Sequence, residues 1–303
     1  MAHGESVSAG HVSVLRREIL AFAPQPTKRI LDATLGLGGH AHALLSRHPE
    51  ASLIAFDRDE EALAIASGAL APFAERTELR HRDFRDGLQD IPPRSLCYAI
   101  ADLGVSSLQL DSQERGFSFR FEAPLDMRMD TRSGRSASDI LNTASEKELE
   151  RILREFGEEP KAKAIARSIV MERRSRSRWT TSAFASLVRR DARGRPGLDP
   201  ATRAFQALRI ATNSELSGLE VGLERLAHLL RPGGRLAVIA FHSLEDRIVK
   251  NVFRSLKKTG GFELLTPKPI VPQDDEKGFN ARSRSAKLRV VSKRGDEGEG
   301  RPA

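Results

Sequence analysis

The stretch Arg29-Ile30-Leu31-Asp32-Ala33-Thr34-Leu35-Gly36-Leu37-Gly38-Gly39-His40 decides the fold, because it reads as a short apolar strand that ends in a carboxylate and turns through glycines into a helix. Glycine at 36, 38 and 39 lets the backbone take positive φ and approach a ligand closely. The helix expected over Ala41 to Arg47 offers unpaired N–H groups at its start. Together these make a loop that cradles a cofactor.

Gly36, Gly38 and Ala41 satisfy the loose G-x-G-x-x-G/A pattern of a dinucleotide loop. Asp32 argues against that reading, since a carboxylate at the strand tip repels a pyrophosphate and attracts a ligand carrying an ammonium and a sulfonium. S-adenosylmethionine is such a ligand. The plain alternative is a glycine-rich turn with no ligand, found between strand and helix in many α/β proteins.

Further apolar runs repeat the theme. Ser52-Leu53-Ile54-Ala55-Phe56-Asp57 ends in an acid about 20 residues beyond the glycines, the spacing at which a carboxylate reaches ribose hydroxyls. Asp57 and Asp59 also suit helix capping before Glu60. A short strand over Thr77 to Arg80 leads to Asp83 and Phe84, an acid beside an aromatic, which suits an adenine. Leu96 to Ala101 reads as a buried strand ending in Asp102. In a doubly wound sheet these tips share one side, where ligands bind.

At 303 residues the chain exceeds one ordinary hydrophobic core, so one large domain with an insertion, or two domains, is expected. With 39% hydrophobic and 30% charged residues it reads as soluble and globular, and no run approaches the ~20 apolar residues of a membrane span. The N-terminal segment is interrupted by Arg16, Arg17 and Glu18 and lacks a secretion signal's apolar core, so a cytoplasmic protein with no membrane partner is expected. The single cysteine, Cys97, excludes a disulfide framework, and the histidine spacings predict no metal site. A net charge of +8 favours polyanionic partners such as nucleic acid.

The α/β alternation runs from about Ile30 to Gly104 and gives way to helical periodicity from Asp111 to about Ala201. Leu149, Ile152, Leu153 and Phe156 form one stripe with Gly157 as its stop, and Ala162, Ile165, Ala166 and Ile169 form another. A helix over Leu219 to Leu230, a turn at 231–234 and a strand over Arg235 to Phe241 resume the sheet. A helix over Leu244 to Lys258 follows, with Ser243 and Asp246 spaced as a capping box. Phe262 to Leu265 and Lys287 to Val291 are expected as a hairpin-like edge. The division is therefore a core of 11–110 and 202–292, an inserted helical subdomain of 111–201, and disordered tails of 1–10 and 295–303.

Longer blocks carry a resemblance. They are Asp32 to Gly36 with Gly38-Gly39-His40; Phe56-Asp57-Arg58-Asp59; Asp102 to Ser107 with Gln109 and Asp111; Arg115-Gly116-Phe117-Ser118; Leu125 to Asp130; Phe205 to Ile210; Phe241 to Arg247; and Arg282 to Arg289. Over these the chain resembles the bacterial methyltransferases that modify N4 of a cytosine at the decoding centre of 16S rRNA. The resemblance implies a Rossmann-like α/β sheet, dependence on S-adenosylmethionine, and cofactor contacts at Gly38, Gly39, His40, Asp57, Phe84, Asp102 and Gln109, beside Asp32 and Asp83. It implies 16S rRNA or the small ribosomal subunit as partner, with Arg209, Asn213, Arg282 and Arg284 toward the RNA, and leaves a homodimer open. Ser13 and Ala281 stand where the family usually has proline. Both are expected to loosen a loop on the RNA side without touching the cofactor site.

Methyl transfer needs an acceptor for an N4–H of the cytosine, whose lone pair is otherwise delocalised into the ring. Asp102 is the candidate, with His242 beside it at the sheet edge as the second catalytic candidate. Alternatively Asp102 holds the cofactor's ammonium, and a carbonyl of Leu103 or Gly104, or His242, receives the amine. Arg173, Arg174, Arg176 and Arg178 with Trp179 offer a second RNA grip, against the plain reading of a solvated surface. A methyltransferase acting on a protein or small molecule, and a non-catalytic RNA-binding protein, are the competing classes.

Overall fold

Leu96–Asp102 forms a strand whose first six residues are all buried, the mark of a parallel strand covered on both faces. It occupies the middle of a seven-stranded sheet made of β1 (Arg29–Asp32), β2 (Ser52–Asp57), β3 (Thr77–His81), β4 (Leu96–Asp102), β5 (Leu230–Ala240), β6 (Phe262–Leu264) and β7 (Lys287–Lys293). The structure, a computed structural model, describes residues 12–192 and 199–295. The tails expected at 1–10 and 295–303 lie outside the described residues, Gly295 apart.

The strand order is β3-β2-β1-β4-β5-β7-β6. From β1 the chain winds outward through β2 and β3, then returns to the other side of β1 for β4 and β5, all parallel. The order thus reverses between β1 and β4, and a crevice opens at their carboxyl ends. β7 runs antiparallel between β5 and β6, with Val291 opposite both Leu236 and Leu264. The two closing segments are therefore not merely an edge hairpin: β7 is an interior strand, which its buried Leu288, Val290 and Val291 require.

The chain divides into two compact units, one of residues up to Gly104 and from Gly218 onward, the other Val105–Ser217. In the sheet unit Ile30, Leu53, Tyr98, Ile100 and Val290 share a core with Leu44 and Leu45 of helix Gly39–Arg47. Tyr98 spends its hydroxyl on the carbonyl of Ile19 at 2.9 Å, which satisfies the one polar atom of a fully buried ring.

The insertion is wider than the 111–201 expected from periodicity. Helix Ala201–Asn213 packs on helix Glu146–Gly157, and Phe205 and Leu208 join the insertion core of Trp179 and Phe184. An amphipathic helix beside a sheet strand in sequence carries no label saying which core it fills. Gly157 is likewise not the stop residue: Glu158 takes the left-handed cap (φ 49). Gly157 is helical, and a Cβ there would lie 2.7 Å from the carbonyl oxygen of Arg203, so glycine lets the two helices close.

Candidate active site

Three strand tips supply carboxylates to the crevice. Asp32 ends β1, only 2% exposed, and its Oδ1 accepts from the backbone N–H of Thr34 at 3.1 Å. Asp57 ends β2 and accepts from Gly36 N–H at 2.7 Å and Asp59 N–H at 2.9 Å. Asp102 ends β4 and donates its backbone N–H to Thr34 Oγ1 at 2.6 Å. Thr34 and Asp57 thus tie the glycine turn to the neighbouring strand ends, a role for Thr34 that sequence reasoning missed.

The turn itself uses Gly36 (φ 53) and Gly38 (φ 80) in the left-handed region, and Gly38 caps helix Gly39–Arg47 without a side-chain cap hydrogen bond. Gly39 is crowded by a side chain. A Cβ there would meet Ser13 Oγ at 2.1 Å, so Ser13 sits against the cofactor turn. The expectation that residue 13 stays clear of that site is corrected: Leu15 N–H donates to Glu276 at 2.8 Å and Asn280 Nδ2 to the Val12 carbonyl at 3.0 Å, which folds this segment back over the turn.

Gathering acids in one buried place raises their proton affinity. Burial lifts Asp32 from 3.8 to about 7, against the Thr34 hydrogen bond and with help from Asp57. Burial also raises Asp57, although the Asp59 and Gly36 amides oppose it. Asp102 is raised as well, well above the usual carboxylate range, by burial and then by the charges of Asp32 and Glu245. Its side chain is 29% exposed overall, yet Oδ1 is buried and accepts no hydrogen bond among the described residues, while Oδ2 stands 3.7 Å from His40 Nε2. An unpaired buried carboxylate oxygen at a sheet's switch point marks a place for a donor or a cation.

Asp83 and Phe84 open one short helical turn. Asp83 caps helix Phe84–Gly87, and burial raises its pKa while hydrogen bonds from Arg85 and the charges of Arg58 and Arg85 outweigh this and hold it below the usual value. Phe84 is 6% exposed with its ring against Gly222, so it packs beneath helix Leu219–Leu229. Gln109, in the other unit, forms a capping box with Ser106.

His242 caps helix Ser243–Lys258: its Nδ1 accepts from Glu245 N–H at 3.3 Å, and its Nε2 faces Glu245 Oε1, also at 3.3 Å. The expected Ser243/Asp246 box does not form, because Asp246 is drawn to Arg289 at 2.7 Å and Lys287 at 3.3 Å on β7. Glu245, 2% exposed, was not foreseen; its Oε2 accepts from Phe241 N–H at 2.9 Å. Its signal is the three-residue spacing from a residue able to cap.

Of the residues expected toward RNA, Arg284 is exposed on the turn Ala281–Ser285 and Arg282 is half-buried there. Arg209 is gripped by both oxygens of Glu215 at 2.9 and 2.8 Å. Asn213 accepts from Met129 N–H and donates to the Met127 and Arg209 carbonyls, bracing the insertion. Of the two readings of the Trp179 cluster, base stacking is excluded: the ring is 1% exposed, donates to Asn142 at 3.0 Å and lies under Arg176, while Arg173 is tied to the Leu141 and Ala144 carbonyls.

A nucleotide-binding sheet whose crevice gathers three strand-tip carboxylates is built for a cationic nucleoside such as S-adenosylmethionine and defines a methyltransferase. The profile of the MraW methylase family matches residues 8–294, and the chain belongs to that family. The ribosomal RNA small subunit methyltransferase H of Geobacter sp. (strain M21) is 47% identical over 306 residues, covering 93% of this chain and 98% of that one. The protein of the same name from Cyanothece sp. (strain PCC 7425 / ATCC 29141) is 47% identical over 287 residues, covering 93% and 94%. The chain is thus an S-adenosylmethionine-dependent methyltransferase. Among the described residues no helix is long and apolar enough to cross a membrane.

Proposed function

We propose that this enzyme methylates the N4 amino group of a cytosine at the decoding centre of 16S rRNA, acting in the cytoplasm on the rRNA or the small ribosomal subunit. The observation that carries the reading is Asp102 Oδ1, buried and without a hydrogen-bond partner among the described residues at the β4 tip, in a chain whose close relatives bear the name of a ribosomal RNA methyltransferase. The residues fit S-adenosylmethionine. Asp57 would hold the ribose hydroxyls, Asp32 would balance the ligand's positive charge, and the N–H groups opening helix Gly39–Arg47 would take its carboxylate. Bound there, the cofactor supplies a methyl group activated by a positive sulfur.

The chain's part in the chemistry lies with the amine. An acceptor on N4–H localises the nitrogen lone pair and takes the proton as positive charge develops. Asp102 is the better acceptor for being buried, since a raised proton affinity makes its ionised form a stronger base. His242 is a weaker candidate than its position suggests, because both ring nitrogens face groups of its own helix turn. It serves as a positioning residue that fixes Glu245 behind Asp102. Arg282 and Arg284 would meet the RNA backbone, in keeping with the net charge of +8.

The test is Asp102→Asn, with calorimetry for the cofactor and methyl incorporation into rRNA. Turnover should fall at least about 100-fold, in line with loss of a general base, while cofactor affinity stays within a few-fold. Equal loss of both would mean that Asp102 only holds the cofactor, and transfer to protein but not RNA would favour the competing substrate class.

A further inference from the structure

Several basic side chains of the insertion are paired with carboxylates. Arg128 is paired with Asp126, Arg132 with Asp130, Arg151 with Glu155, Arg154 with Glu150, Arg189 with Asp199, and Arg209 with Glu215. Lys161, Lys163 and Arg167 are different. All three are exposed, none has a carboxylate or hydrogen-bond partner for its side chain among the described residues, and they line one shallow open depression with Ser168, Arg190 and Asp191. Arg190 is balanced there by Asp191 at 3.2 Å and Glu172 at 2.8 Å. The depression therefore carries three uncompensated positive charges.

Their placement follows from helix Ala162–Glu172. Its Ala162, Ile165, Ala166 and Ile169 are buried, so the opposite face must carry Lys163 and Arg167, four residues and about one turn apart. Two like charges at that spacing repel, and helix propensity alone has no need of them. An anion between them relieves the repulsion.

We propose that this face of the insertion binds the phosphate backbone of the RNA substrate, with Lys161, Lys163 and Arg167 each meeting a phosphate and Ser168 donating a hydrogen bond. The inference rests on the RNA reading above and adds a surface to it. The contact is with backbone, not bases: no aromatic ring lines the depression, so it provides affinity and register without reading sequence.

The test compares the full-length wild type, the triple variant Lys161→Gln/Lys163→Gln/Arg167→Gln, and a control that removes equal charge elsewhere, Lys147→Gln/Lys257→Gln/Lys258→Gln. Binding of a 16S rRNA fragment is followed from 50 to 300 mM KCl, with cofactor affinity measured alongside. Three lost phosphate contacts should lower the salt slope by about 2 and weaken binding at 100 mM salt roughly 10- to 100-fold, with cofactor affinity unchanged. A slope equal to the control's overturns the proposal. So does a variant that binds naked RNA normally and loses only the assembled subunit, which would make the partner a protein. If the wild type transfers no methyl to any RNA, the underlying function fails as well; methylation that persists while slopes match rejects this surface alone.

Discussion

Replacing Asp32 by asparagine should make the cofactor-free protein more stable and nearly unable to bind its cofactor, with a pH signature that identifies the cause. Asparagine keeps the shape and can still accept from Thr34 N–H, now 3.1 Å from Oδ1. The wild-type carboxyl rises from 3.8 to about 7 on folding, which at about 1.4 kcal/mol per tenfold change in proton affinity is about 4 kcal/mol. The sign follows from linkage. A carboxyl with a raised folded pKa is protonated in both states below about pH 4 and costs nothing there; between about pH 4 and 7 only the unfolded chain releases its proton, and stability falls; above about 7 the full penalty stands. Asp32→Asn should therefore match wild type near pH 4 and exceed it increasingly up to pH 7, then hold a constant gain. With 303 residues and an unfolding entropy of about 2.1 cal/mol/K per residue, 4 kcal/mol is about 6 °C in Tm. The assay is thermal unfolding by circular dichroism at pH 4 to 8.5 without cofactor. A gain that is absent at pH 8, or the same at every pH, would refute the idea that clustered acids hold this crevice under electrostatic tension.

Wild-type affinity for S-adenosylmethionine should rise with pH, up to about tenfold per unit, until Asp32 is ionised near pH 7, and then level off; calorimetry across pH 5.5 to 8.5 checks this. Gly39→Ala should weaken cofactor binding, because the new Cβ meets Ser13 Oγ at 2.1 Å, and adding Ser13→Gly should restore most of the loss. Arg209→Met removes both hydrogen bonds that the guanidinium makes to Glu215 and should cost about 1–3 kcal/mol in urea unfolding, more than any effect on RNA affinity of the folded enzyme. Gly157→Ala should destabilise the insertion by about 1–3 kcal/mol through the contact with the Arg203 carbonyl, leaving cofactor affinity unchanged.

The carboxylates at positions 32, 57 and 102 were legible because each follows an apolar run and precedes a turn, so the sheet's parallel order alone brings them together. The glycine turn was legible in the same way, from local pattern. What stayed hidden is non-local. Nothing near Ser13 says that it meets Gly39, since that contact depends on Glu276 and Asn280 fastening the N-terminal segment from the far end of the chain. The helix cap at His242 was misread because serine is the commoner cap, whereas here Asp246 is better satisfied by Arg289 on a strand that only the tertiary fold brings near. The insertion's edges were missed because helix Ala201–Asn213 has an apolar stripe fitting either core. Arg209, Asn213 and Trp179 showed that a basic or aromatic residue in a matching motif can brace the scaffold instead of facing a substrate.

The most direct measurement is to incubate the purified enzyme with S-adenosylmethionine and 16S rRNA or small subunits lacking the modification, and to map the product by nuclease digestion and mass spectrometry. The account predicts one methyl group on the N4 amine of a decoding-centre cytosine, lost with Asp102→Asn. Methyl transfer to another atom or to protein, or none in the presence of bound cofactor, would contradict it.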